Sequence, residues 1–173
     1  MKSKWAEGVM PRFFAWVIQD TLAISERPGG YARNHRRVRR HEEILWLRTN
    51  GFTRVVSLLG SPHNLHAYDE LGMPWSHLPL VPATDPRTML PRLYRELDER
   101  LRSGERVLVH QEALGDQLMG VVGGYLWWSE RVPGGPHAII ALERIVRRQM
   151  GPEGRGLVAL VPELDRSEQS TGG

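Results

Sequence analysis

The stretch that decides the fold runs from Val107 to Gly120 and reads VLVHQEALGDQLMG. Three apolar residues lead to a histidine, a pattern typical of a buried strand. The residues beyond the loop continue into the small-residue sequence GVVGGYL at 120–126, which predicts a closely packed helix. A strand, a short loop and a helix N-terminus in this order form an anion cradle, because free backbone N–H groups and the helix dipole point into the loop.

The same stretch resembles the loop His-Cys-x5-Arg of the cysteine-dependent phosphatases. In that family the cysteine is a thiolate nucleophile, and the arginine grips two phosphate oxygens in a fork. The matching positions of this sequence carry Gln111 and Gln117. A glutamine amide can only hydrogen-bond and has no charge. The resemblance therefore implies a cradle that has lost its nucleophile and its strongest phosphate contact.

The rest of the loop departs from the family pattern as well. Leu114 and Asp116 stand where the family usually has glycines, and Leu118 replaces the hydroxyl that usually follows the arginine. At ~6 Å and an effective dielectric of ~20, the carboxylates of Glu112 and Asp116 would each repel a unit negative charge by roughly 3 kcal/mol. His110 resembles the family residue that orients the loop. The candidate ligand-binding loop comprises His110, Gln111, Glu112, Ala113, Leu114, Gly115, Asp116 and Gln117.

The resemblance, specifically to the small dual-specificity phosphatases, extends from about residue 13 to about residue 150. Counting back from His110, the place of the family's general-acid aspartate falls at Val81 or Pro82, and neither side chain can donate a proton. Asp85 is the carboxylate that could substitute. We favour a helix cap for Asp85 because it precedes a proline and a helical pattern. We therefore assign no catalytic residue, and the degenerate positions are Gln111, Gln117 and Val81.

The periodicity predicts an α/β fold of the dual-specificity-phosphatase type, a central mixed sheet flanked by helices. Strand patterns occupy 13–18, 22–24, 54–59, 77–80 and 107–110. Helical patterns occupy 38–49, 88–102, 114–129 and 136–149, and a short capped helix is expected around 61–68. At 173 residues, 40% hydrophobic, the chain is large enough for one well-buried domain, expected over 1–164. The polar residues 165–173 are expected to form a disordered tail.

The composition also excludes several classes of functional site. There is no cysteine, which excludes disulfides and thiolate metal sites. His63 and His66 share a helical spacing, but a short capped helix explains them better than a metal, so neither metal nor cofactor is expected. No apolar run is long enough to span a membrane, and no secretion signal is recognisable, so we expect a soluble cytoplasmic protein.

Five arginines lie within residues 33–41. Such density suits a polyphosphate, a nucleic acid or an acidic protein, although a solvated helix start balanced by neighbouring glutamates explains it too. Net charge is only +3 and aromatic residues do not interleave with the arginines, so support for nucleic acid is weak. The candidate basic patch comprises Arg36, Arg37, Arg39 and Arg40.

The joint loss of three catalytic roles predicts an inactive phosphatase-like protein that works by binding a protein, phosphorylated or not, or another anionic ligand. One alternative is an enzyme of altered acid–base chemistry using Glu112, Asp116, Asp85 or His110. Another is an RNA or inositol-phosphate binder that uses the basic patch.

Overall fold

The computed structural model describes residues 8–30, 37–62 and 65–166. Within these ranges, five strands form one mixed sheet in the order β1-β2-β5-β3-β4. β1 is antiparallel to β2, and every other neighbouring pair is parallel. The strands are β1 (Ala15–Ile18), β2 (Leu22–Glu26), β3 (Arg54–Ser57), β4 (Trp75–His77) and β5 (Val107–Gln111). The predicted α/β fold with a central mixed sheet is confirmed.

Six α-helices and a short 3₁₀-helix at Val161–Glu163 accompany the sheet within the described ranges. The helices are α1 (Arg37–Thr49), α2 (Leu65–Glu70), α3 (Pro86–Arg102), α4 (Asp116–Trp128), α5 (Gly135–Val146) and α6 (Pro152–Ala159). The helical patterns of the sequence correspond to α1, α3, α4 and α5, whereas α6 was not predicted. α5 ends before the predicted residue 149 because Arg147 takes a left-handed conformation with φ 60°.

Both faces of the sheet are covered, which explains why β5 reads as a nearly continuous apolar run. Val107 and Val109 point into a core built with α3, α4, α5 and α6. Leu108 points the other way, into a smaller core with α1 and α2. All three side chains are fully buried. The central strand β5 is therefore packed on both faces, and the loop that follows it begins at the end of this buried strand.

α4 and α6 pack with almost no space between their backbones. A Cβ added at Gly120 would lie 2.5 Å from the Cα of Gly154, so only glycine permits this approach. The close contact brings the N-terminus of α6 beside the loop at the N-terminus of α4. Within residues 8–30, 37–62 and 65–166, no helix has the length and apolar character needed to cross a membrane.

Candidate functional site

The candidate site lies where β5 ends and α4 begins. The loop between them borders a cavity of about 400 Å³, and in open parallel sheets ligands bind at this carboxyl end of the strands. The other wall comes from the segments that follow β3 and β4. The residues around the cavity are Leu58, Leu59, Gly60, Leu80, Val81, Pro82, Gln111, Glu112, Ala113, Gly115, Asp116, Gln117 and Glu153.

The two glutamines of the loop are hydrogen-bonded to each other. The side-chain Nε2 of Gln111 donates to Oε1 of Gln117 across 2.6 Å. Both side chains are half-buried. The amides therefore partner each other at the two positions where the family resemblance implies nucleophile and arginine. An incoming anion would have to compete with this internal hydrogen bond.

Asp116 does not contribute a carboxylate to the cavity in the way the sequence suggested. Its Oδ1 accepts from the backbone N–H of Gly151 at 2.5 Å, and its Oδ2 accepts from that of Gly154 at 2.8 Å. These N–H groups belong to the N-terminus of α6, where a carboxylate is also favoured by the helix dipole. The expected repulsion of an anion by Asp116 is therefore overestimated, because its charge is held by the helix start.

Glu112 is likewise engaged, although it remains exposed. Both carboxylate oxygens lie 3.3 Å from Nη1 of Arg27, which extends from the end of β2. The pair is solvent-screened and contributes little stability, about 0–1 kcal/mol. The guanidinium nevertheless offsets part of the repulsion expected from Glu112.

His110 lies beneath the loop and is fixed by two contacts. Its Nδ1 is 3.2 Å from the carbonyl oxygen of Gln111, and its Nε2 is 3.3 Å from the hydroxyl of Tyr68. Because a carbonyl can only accept, Nδ1 carries the hydrogen and Nε2 accepts from Tyr68. Burial lowers the pKa of His110 to about 4, against the smaller raising effect of the hydrogen bond to Gln111. The residue is therefore a neutral support of the loop at ordinary pH.

The position at which the family resemblance implies a general acid carries an apolar side chain in the structure too. Val81 lines the cavity and packs closely on Gly60. A Cβ added at Gly60 would lie 2.7 Å from Cγ1 of Val81. Asp85 is the N-cap of α3, as the cap interpretation expects, and accepts from the N–H of Arg87 at 3.0 Å. Pro82 is exposed at the cavity edge.

The structure describes three of the four arginines of the basic patch, Arg37, Arg39 and Arg40, and their surroundings differ. Nε of Arg39 donates to the buried Glu43 at 3.1 Å, and the N–H of Gly29 donates to the same carboxylate. Burial, aided by the charge of Arg27, lowers the pKa of Arg40. Arg37 is exposed and lies 3.5 Å from Glu70. Arg36 lies outside the described residues, as does the expected tail beyond 166.

Sequence reasoning missed three participants in this site. Arg27 and Tyr68 reach the loop from distant segments and carry no local pattern that would identify them. The helix α6 had a signal that could have been used, since Pro152 and Glu153 are typical of the first turn of a helix. Recognising that helix would have provided a capping target for Asp116.

Comparison with known proteins supports the fold and no finer assignment. No protein-family model and no curated protein sequence matches the chain. Among solved structures, the active form of Tk-PTP is similar with a TM-score of 0.68 at 20% identity, covering 87% of this chain and 96% of that one.

A kinase associated phosphatase whose catalytic cysteine is replaced by serine has a TM-score of 0.74 at 16% identity, covering 89% of this chain and 96% of its own. Human DUSP28 has a TM-score of 0.62 at 16% identity, covering 90% and 97% respectively. The identities are low, while the coverage is nearly complete on both sides. The chain therefore has the fold of the dual-specificity and protein tyrosine phosphatases.

Proposed function

We propose that this protein is a catalytically inactive member of the phosphatase fold that acts by binding a protein partner at the cavity beside residues 110–117. The observation that carries the proposal is the hydrogen bond between Gln111 and Gln117. These residues stand where the resemblance implies the nucleophile and the phosphate-binding arginine, and an amide can replace neither. The chain has no cysteine at any position.

The lining of the cavity favours an uncharged group over a phosphate. Among its described lining residues there is no lysine or arginine, while Glu112, Asp116 and Glu153 are acidic. Leucine, valine and proline side chains form the opposite wall. A phosphate dianion would give up hydration there, and the nearby Arg27 is already paired with Glu112, so the exchange is unfavourable. An unphosphorylated apolar or amide side chain of a partner fits this chemistry better.

The groups that the acid–base alternative would use already have structural roles. Asp85 caps α3, Asp116 caps α6, and Glu112 faces Arg27. His110 is buried against Tyr68. In the basic patch, Arg39 is likewise held by a buried glutamate, whereas Arg37 is exposed.

Turnover is the first test. Purified protein is assayed with an aryl phosphate beside the variants Gln111→Ala and Gln117→Ala. We expect identical background rates for all three, because none of them has a cysteine thiolate. Hydrolysis by the unaltered protein that either variant abolishes would refute the proposed inactivity.

Ligand preference is the second test. The side-chain amide NMR signals of Gln111 and Gln117 are followed during titration with N-acetyl-tyrosine amide and its phosphorylated form. We expect the unphosphorylated compound to shift these signals more strongly. The variant Gln117→Arg introduces the missing guanidinium and should reverse the preference. A stronger response of the unaltered protein to the phosphorylated compound would contradict the preference for an uncharged group.

A further inference from the structure

A second and larger groove, of about 840 Å³, lies on the other flank of the same loop. Its walls come from the start of β1, from two loop residues and from the end of α5. The lining residues include Phe13, Glu26, Ala113, Leu114, Arg147 and Arg148. Ala113 and Leu114 contact this groove, so part of the candidate ligand-binding loop serves a surface distinct from the glutamine pair.

Two residues of this groove adopt a backbone conformation that favours glycine. Phe13 has φ 54° and Arg147 has φ 60°, and they are two of the four non-glycine residues with positive φ in the described part of the chain. A bulky side chain in this region is strained. Phe13 is also 69% exposed, so its ring gains little from packing within the protein. The ring of Phe13 is therefore an apolar group presented to solvent at the wall of the groove.

The solvent-facing charge of the groove is positive. Arg147 and Arg148 are both exposed, and neither forms an ion pair with any residue that the structure describes. Glu26, the acidic residue of the lining, is only 4% exposed and lies in the field of Arg12 and Arg39. The rim therefore presents two uncompensated guanidinium groups beside aromatic rings.

We propose that this groove docks an acidic protein segment that carries one aromatic or aliphatic anchor. The anchor rests against Phe13 and Leu114, and the flanking carboxylates of the segment meet Arg147 and Arg148 in charge-assisted hydrogen bonds. The opposite charges of rim and segment also favour this partner over a basic one. This surface does not include Gln111 or Gln117, so the docking proposal is independent of the binding cavity proposed above.

The probes are fluorescein-labelled peptides of alternating Asp and Glu with a central Phe, Leu or Ser, together with a Lys-containing counterpart of the Phe peptide. Fluorescence anisotropy should show the Phe and Leu peptides binding, the Ser peptide binding at least about tenfold more weakly, and the Lys peptide not binding.

The matched variants are Phe13→Gly, Arg147→Gly and Asp20→Gly. Each replaces a residue of positive φ, so each should leave the Tm unchanged or raise it. Asp20 lies outside the groove and serves as the control. We expect Phe13→Gly and Arg147→Gly to lower the affinity for the Phe peptide by about tenfold, and Asp20→Gly to leave that affinity unchanged.

Three results would overturn the proposal. Equal affinity of the Phe peptide for all three glycine variants would show that the groove is not the site. No binding of the Phe and Leu peptides up to about 1 mM would exclude an acidic segment of this kind. A dimer in light scattering that Phe13→Gly converts to a monomer would show that a second copy of the chain covers the groove.

Discussion

Removing the carboxylate of Asp116 should destabilise the protein substantially, although the residue lies in a loop at the candidate site. The carboxylate accepts two backbone N–H groups, from Gly151 at 2.5 Å and from Gly154 at 2.8 Å. A lost N-cap costs about 1–2 kcal/mol, and the dipole interaction adds about 0.3–1 kcal/mol. The second N–H is also left without its acceptor, at about 1 kcal/mol. We expect Asp116→Ala to lower the free energy of unfolding by about 3 kcal/mol.

The assay is urea unfolding followed by circular dichroism, with Glu112→Gln as the control. The control removes the other loop carboxylate, whose exposed pairing with Arg27 contributes about 0–1 kcal/mol. For a chain of this size about 3 kcal/mol corresponds to a fall in Tm of roughly 6–12 °C. Asp116→Asn keeps an oxygen acceptor without the charge, so an intermediate loss of about 1 kcal/mol is expected.

The comparison between the two carboxylates refutes or supports the capping role. If Asp116→Ala and Glu112→Gln lowered the stability equally, Asp116 would not be holding the N-terminus of α6. A gain in affinity for phosphate in Asp116→Asn with unchanged stability would point the same way, because the charge would then act on the cavity.

Three further outcomes are expected. The pKa of His110 is about 4 in the folded protein and about 6.5 in the unfolded chain, so the free energy of unfolding falls by about 3 kcal/mol as the pH drops from 6.5 towards 4. Unfolding titrations at several pH values should show a smaller pH dependence of stability in His110→Asn. An unchanged pH dependence in this variant would contradict the role of His110. Gly120→Ala should lower the free energy of unfolding by about 1–3 kcal/mol, because the added Cβ meets the backbone of α6. A Cβ added at Gly115 meets no atom within 4 Å, so Gly115→Ala should be tolerated when both variants are compared by thermal unfolding. Tyr94→Phe removes a hydroxyl that donates to the carbonyl of Val121 in α4 at 2.6 Å, and it should lower the free energy of unfolding by about 1 kcal/mol. An unchanged free energy of unfolding in urea would exclude a net contribution from this hydrogen bond.

Much of the fold could be predicted because its signals are local. The apolar run of β5 and the helical stripe of α3 have periods that identify their structures directly. Asp85 before Pro86 indicated where α3 begins. The end of α5 could not be predicted in this way, because the residue at which it stops, Arg147, is one that rarely adopts a left-handed conformation.

The chemistry that the site lacks also follows from the sequence alone. A chain without cysteine has no thiolate, whatever its fold, and an apolar side chain at Val81 cannot supply a proton. What the remaining polar groups do depended on tertiary structure. Asp116 meets Gly151 across 35 positions, and Arg27 meets Glu112 across 85.

The physical reason is that residue type sets which bonds a side chain can make, while packing sets which partner it meets. Two glutamines six positions apart became a hydrogen-bonded pair only because the loop curves between β5 and α4. A carboxylate that looked like a repulsive charge became a helix cap only because Gly120 lets α6 approach α4. The sequence thus determined that thiolate catalysis is absent, and the packing of the helices decided how the groups that remain are used.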